Sequence, residues 1–287
     1  MRALPTSRVR VLRYRAWDGV KLKVVVLAPK EPGRLLPVVL APHGRDGDAA
    51  HACAAFGDLA GIAQVLVVCP AGRGRLNSLH SWGNPGAIRD LARMRSLVTS
   101  ELTDLSVDQR HLYVVGASMG GQEALLFASA YPQHVTGVVA MDAVADLVAR
   151  YRQMRFLPAG ARSQRRMRAE VGGAPSDVPA AYARRSPTRL VSHLASGCVR
   201  VFVWWSSHDW RVRAQSRTQS GRFLRKLVRA QPRGPVAEVV GRWQHEWPWH
   251  HSLAAAFDQL HLLPAHTHAD APPAPLLLLA HGTPGCR

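Results

Sequence analysis

Lysine is scarce in this chain of 287 residues, and acidic residues are outnumbered: 37 Lys and Arg face 19 Asp and Glu, for a net charge of +18. Lysine is confined to Lys21, Lys23, Lys30 and Lys226, so nearly all the positive charge is arginine, scattered among abundant Ala, Gly and Pro. Clustered cations would point to nucleic acid, where counter-ions released from phosphates drive binding. Scattered arginine reads as compositional bias, and no specific nucleic-acid partner is expected. Cysteine is rare as well. Cys53, Cys69, Cys198 and Cys286 stand far apart with no C-x-x-C, which argues against a structural zinc site and a disulfide framework, so packed, reduced thiols are expected. No apolar run reaches the length of a membrane span, and residues 1–15 lack the apolar stretch of a secretory leader. A soluble, cytoplasmic protein is the expectation. H-E-x-x-H is missing, and Gly72-Arg-Gly74 lacks the third glycine and the following acid of a dinucleotide loop, so neither a metal nor a cofactor is expected.

What the chain does contain is regular alternation of short apolar runs with helical patterns. Polar and apolar residues alternate over residues 8–14, Asp18-Gly19 offers a turn, and residues 21–27 resume a strand. Residues 37–41 and 64–69 are continuously apolar, as in parallel strands covered on both faces. Further strand patterns lie at 112–115, 135–140, 199–204 and 236–240. Helical patterns fill 49–62, 122–130 and 252–263, and in 87–102 Ile88, Leu91, Met94, Leu97 and Val98 mark one helical face. Eight strands with interleaved helices predict an α/β fold, a doubly wound and mainly parallel sheet in one domain over residues 1–263. Residues 146–195 exceed what a crossover needs and predict a helical, cap-like insertion. The tail, 264–287, is rich in Pro, Ala and His, and little structure is expected there.

The strand at 112–115 runs into Gly116-Ala-Ser118-Met-Gly120 and then into the helix former run that Tyr131-Pro132 stops. Strand, G-x-S-x-G and helix together are the nucleophile-elbow pattern, in which small residues let strand and helix approach while a serine holds a strained turn. Ser118 is therefore the candidate nucleophile. The N–H of Met119 falls at a helix N-terminus, where unsatisfied donors favour a developing oxyanion.

Chemistry in a parallel α/β sheet gathers beyond the carboxyl ends of its strands. Asp209 follows the strand at 199–204, and His245 follows the one at 236–240. The order Ser118, Asp209, His245 is that of α/β-hydrolases. Further motifs narrow the likeness: Asp18-Gly19, Pro42-His43-Gly44, residues 141–147 (MDAVADL), Arg185-Ser186-Pro187, and Asp209 before Val212 with Gln215-Ser216 following. With these the chain resembles the catalytic domain of the prolyl oligopeptidase family, within the α/β-hydrolase superfamily, over roughly residues 9–263. No counterpart of that family's propeller domain is present, which brings the chain closer to the superfamily's free-standing esterases.

The resemblance implies an α/β-hydrolase fold and a serine hydrolase. His245, oriented by Asp209, would activate Ser118, and the oxyanion would sit between the N–H of Met119 and that of Arg45, the residue after the His-Gly pair. Carboxylic esters are the expected small-molecule substrates, with short peptides or aminoacyl amides as the alternative. The oligomeric state is open. Asp142, also at a strand end, competes for the acid role. His250 and His251 fall at the start of the last helical pattern, and His43 is expected to order its own loop. Arg150, Arg152, Arg155, Arg162, Arg165, Arg166 and Arg168 make the insertion basic, which suits either a solvated surface or an anionic substrate. The tryptophans at 204, 205, 210, 243, 247 and 249 flank the acid and the base, most of them as core.

Overall fold

The alternation near the start of the chain makes a hairpin, in which β1 (Ser7–Arg15) and β2 (Lys21–Pro29) pair antiparallel across a turn with Gly19 at φ 82°. The computed structural model describes residues 6–33, 35–45, 47–72, 81–265, 267 and 272–280. The apolar runs follow as β3 (Leu36–Leu40) and β4 (Leu66–Pro70), separated by α1 (Ala49–Ala54) and α2 (Leu59–Ile62). A single helix was expected over 49–62. The chain breaks it at Gly57, whose φ of 49° is left-handed and free of strain only without a Cβ.

α3 (Pro85–Glu101) leads to β5 (Val107–Ala117), then α4 (Met119–Ala130) and β6 (Gly137–Met141). The insertion carries α5 (Leu147–Met154), α6 (Gly160–Val171), α7 (Pro179–Arg184) and α8 (Val191–Ala195). Next come β7 (Arg200–Ser206), α9 (Gln215–Thr218), α10 (Ser220–Ala230) and β8 (Val236–Gly241). The last helix expected over 252–263 is α12 (Leu253–Gln259), and a further short helix, α11 (Trp247–His251), precedes it, so His250 and His251 close α11 rather than open the last helix.

The sheet order is β1-β2-β4-β3-β5-β6-β7-β8-β9, where β9 is Leu276–Ala280. From β4 to β8 all pairs are parallel, and β1/β2, β2/β4 and β8/β9 are antiparallel. The ninth strand corrects the expectation of little structure in the tail. Its four leucines were too short a run to announce a strand, but the open edge of β8 supplies partners for their backbone.

Alternate residues of the central strands face opposite layers. Val114, Val138 and Val203 point with Met94, Phe127 and Phe223 into one core cluster, whereas Val115, Val139 and Trp204 join Phe56 and Phe257 in the other. A third cluster packs Met154, Met167, Val171 and Tyr182 of the insertion onto Met119 and Trp82, so the insertion sits directly against the start of α4.

The cysteines also depart from expectation. Cys53 on α1 and Cys69 on β4 form a disulfide with Cα atoms 5.8 Å apart, a pairing set by tertiary packing rather than by sequence spacing. Cys198 is likewise disulfide-bonded, and Cys286 lies outside the described residues. These bonds replace the packed, reduced thiols that were expected. Among the described residues no helix is long and apolar enough to cross a membrane.

Candidate active site

Ser118 occupies the turn between β5 and α4 with φ 56° and ψ −118°, a conformation that costs an L-residue energy and is held by its surroundings. Its N–H donates to Met141 O at 2.8 Å, and its carbonyl accepts from Gln122 at 3.0 Å. The flanking glycines are required by close approach: a Cβ on Gly116 would stand 2.4 Å from Gly120 O, and one on Gly120 would stand 2.1 Å from Pro42 O. The same crowding shows that the turn after β3 lies against the first turn of α4. Met119 opens that helix with its side chain buried, its sulfur accepting from Trp82 N–H at 3.4 Å.

The three residues proposed from the sequence come together. Asp209 follows β7 and is buried; its Oδ1 accepts from the N–H groups of Arg211 (2.9 Å) and Val212 (2.8 Å), and its Oδ2 from Gln215 Nε2 (3.2 Å). That leaves Oδ2 facing His245 Nδ1 at 2.8 Å, while His245 Nε2 lies 2.9 Å from Ser118 Oγ. A carboxylate at Nδ1 fixes the tautomer with the proton there, so Nε2 is the lone pair that accepts from the serine hydroxyl. Burial works against protonation of His245, but the hydrogen bond and charge of Asp209 outweigh it, and the imidazole pKa is raised above its ordinary value.

Asp142 stands close by, with its ligand atom within 4.8 Å of those of Asp209 and His245. It does not touch the histidine ring through any hydrogen bond. Its carboxylate accepts from Ser206 N–H, Trp243 Nε1 and Glu246 N–H, each at 3.0 Å. Trp243 and Glu246 bracket His245, and Ser206 begins the Asp209 loop, so Asp142 braces the loops of acid and base together. Burial and the neighbouring Asp209 push its pKa up to about 7. Three acidic and imidazole groups within one cluster resemble a metal site, but their donor atoms are already occupied by these hydrogen bonds.

His43 orders its loop, its two ring nitrogens each 2.7 Å from the carbonyls of Gly44 and Ala71. Arg45, two residues on, sends its guanidinium to the insertion, where it meets Glu170 Oε1 at 2.6 Å and lies 5.5 Å from the Trp82 ring centroid. Glu170 Oε2 accepts from Trp82 Nε1, also at 2.6 Å. One fully buried carboxylate thus ties the Arg45 turn to Trp82 and, through Trp82, to Met119. Sequence reading missed Glu170, although it is the lone acid in an α6 that carries four arginines. Of the insertion's arginines, Arg150 is buried with its guanidinium on Arg211 O, and Arg152, Arg155, Arg162, Arg165 and Arg168 are exposed. Arg73 and Gly74 of the Gly72-Arg-Gly74 motif lie outside the described residues.

A family profile described as alpha/beta hydrolase fold matches residues 105–168, which span β5, the Ser118 turn, α4 and β6. Homoserine O-acetyltransferase of Corynebacterium urealyticum is 29% identical over 156 residues, 48% of this chain and 37% of that protein. Acylaminoacyl peptidase of Pyrococcus horikoshii superposes with a TM-score of 0.70 at 16% identity, over 93% of this chain and 44% of that one. This chain has the α/β-hydrolase fold. Within that fold it resembles the prolyl oligopeptidase type of catalytic domain, as its motifs imply. S-formylglutathione hydrolase of Staphylococcus aureus is similar over nearly its whole length: 88% of this chain and 98% of that one, TM-score 0.64, 14% identity. The chain spans less than half the length of the acetyltransferase and of the peptidase.

Proposed function

We propose that this protein is a serine hydrolase that cleaves carboxylic esters through an acyl-enzyme on Ser118. The observation that carries the reading is the continuous relay from Ser118 Oγ through His245 to Asp209, with contacts of 2.9 and 2.8 Å. In the first half-reaction Ser118 Oγ bonds to the acyl carbon as its proton passes to His245 Nε2, and Asp209 stabilises the imidazolium. The carbonyl electrons move onto oxygen, which accepts from the N–H groups of Met119 and Arg45. The tetrahedral intermediate collapses, the bond to the leaving oxygen breaks, and His245 returns its proton to that oxygen. Water then repeats the sequence on the acyl-enzyme, releasing the acid and restoring Ser118.

The likeness to an acylaminoacyl peptidase supports a second reading within the same mechanism, hydrolysis of short peptides or aminoacyl amides. A fluorophosphonate probe tests the shared chemistry: it is expected to label Ser118, and labelling that survives in Ser118→Ala would place the nucleophile elsewhere. A panel of p-nitrophenyl esters and aminoacyl arylamides, assayed side by side, separates the two substrate classes. Faster turnover of the esters is expected, and consistently faster turnover of the arylamides would favour the peptidase.

A further inference from the structure

A cavity of about 370 Å³ opens between the turn after β3, the start of α1 and the loop that carries His245. Gly44 and Arg45 line it on one side, Asp48 and His51 on the second, and Glu246 and Trp249 on the third. Ala117, immediately before Ser118, also borders it. The charges around this space are unequal in their freedom. The Arg45 guanidinium is held by Glu170, and Asp48 caps α1 by accepting from His51 N–H at 2.8 Å. Glu246 is different: among the described residues its carboxylate makes no ion pair or hydrogen bond, and its charge acts on neighbouring His245, where it favours the imidazolium.

The backbone holds that carboxylate in place. Glu246 has φ 62°, a left-handed conformation, and its N–H is bound to Asp142 Oδ2 at 3.0 Å. Its Oε1 lies 2.6 Å from the point where a Cβ on Gly44 would stand, so the charge rests over the very turn proposed to stabilise an oxyanion. A negative charge there opposes a second one developing on substrate, unless something positive lies between or beside them. Two of its lining residues, Ala117 and Glu246, are the chain neighbours of Ser118 and His245, so the space opens beside the groups that would pass a proton to a departing alcohol. Trp249 adds an aromatic wall of the kind that suits a quaternary or primary ammonium.

We propose that this cavity is the leaving-group subsite and that Glu246 selects esters of short amino alcohols, whose ammonium pairs with it. The inference rests on Ser118 acting as the proposed nucleophile. A cationic alcohol would pair with Glu246 as well as leave through His245, and a neutral alcohol of the same shape would gain nothing from that charge.

The test uses a matched pair of butyrate esters, one of the trimethylammonium alcohol choline and one of its uncharged isostere 3,3-dimethylbutanol, with wild type and Glu246→Gln. Glutamine keeps the shape and the backbone contacts, and rates are taken on the pH plateau. Wild type is expected to favour the choline ester by about tenfold or more in kcat/KM, the scale of one partly desolvated charge pair. Glu246→Gln should bring the ratio close to unity, chiefly by lowering kcat/KM for the choline ester. A ratio unchanged by the substitution, or a wild type that prefers the neutral ester, overturns the proposal. Fluorophosphonate labelling separates this from failure of the underlying reading: a wild type that labels at Ser118 but ignores substrate charge loses only the subsite, and one that neither labels nor hydrolyses loses both.

Discussion

Asp209 raises the pKa of His245, and the pH dependence of turnover follows from that. Turnover on the proposed mechanism needs neutral His245, so it falls as acid protonates Nε2. Because Asp209 raises the histidine pKa, the acid limb should lie above the ordinary histidine value of about 6.5. Asp209→Asn removes the raising charge, so the limb should move to lower pH even as the plateau drops. That plateau should fall by about 10⁴, the cost of losing the carboxylate that fixes the tautomer and stabilises imidazolium. Asp142→Asn should act differently. An amide there keeps an acceptor for Ser206 and Trp243 but presents a donor to Glu246 N–H, loosening one end of the His245 loop. A loss of about tenfold, the measure of one orienting hydrogen bond, is expected, with the acid limb nearly in place. Circular dichroism checks that both variants fold, and turnover against pH ranks them. A large loss at Asp142 with near-normal turnover at Asp209 would transfer the acid role.

Among the elements, the ones legible in sequence are those whose geometry is dictated locally. The elbow announces itself because Gly116 and Gly120 touch backbone that no side chain could approach, and β4 because both its faces are buried. What sequence could not supply depends on partners far along the chain: the edge of β8 that recruits β9, the approach of α1 to β4 that joins Cys53 to Cys69, and the meeting of Glu170 with Arg45, 125 residues away. That last contact makes α6 part of the site's support. Glu170→Gln leaves an acceptor for Trp82 but strips Arg45 of its counter-charge within a half-buried pocket. Breaking a buried pair costs more than the pair is worth, and with Arg45 still 22% exposed the expected loss of stability is about 2 kcal/mol. Urea denaturation reads it directly. A midpoint equal to that of wild type would mean that the insertion is held to the Arg45 turn by its apolar cluster alone.

For the whole molecule the dominant physical fact is a charge of +18, and the structure shows how that charge is distributed. Arg8 and Arg10 of β1 converge on Asp104, Arg93 of α3 pairs with Asp90, Arg222 of α10 pairs with Asp146, and Arg45 is held by Glu170. These sites belong to different faces of the sheet and to its edge. Lys226 donates to the Thr188 carbonyl instead of reaching solvent freely. A protein that reads nucleic acid lines its cations along one path to follow a phosphate backbone; here several arginines have carboxylate partners, while Arg152, Arg155, Arg162, Arg165 and Arg168 of the insertion are exposed. Net positive charge still attracts polyanions at long range, so weak binding to DNA is expected at low ionic strength, with no preference among sequences. Each phosphate contact returned to salt lowers log affinity along a slope of about −0.9 per contact, so binding should fade between about 50 and 200 mM salt. Fluorescence anisotropy on two unrelated duplexes across that range makes the measurement. Equal, steeply salt-dependent curves fit dispersed charge, whereas binding that survives physiological salt and separates the two duplexes would require a contiguous basic surface and a second function for it.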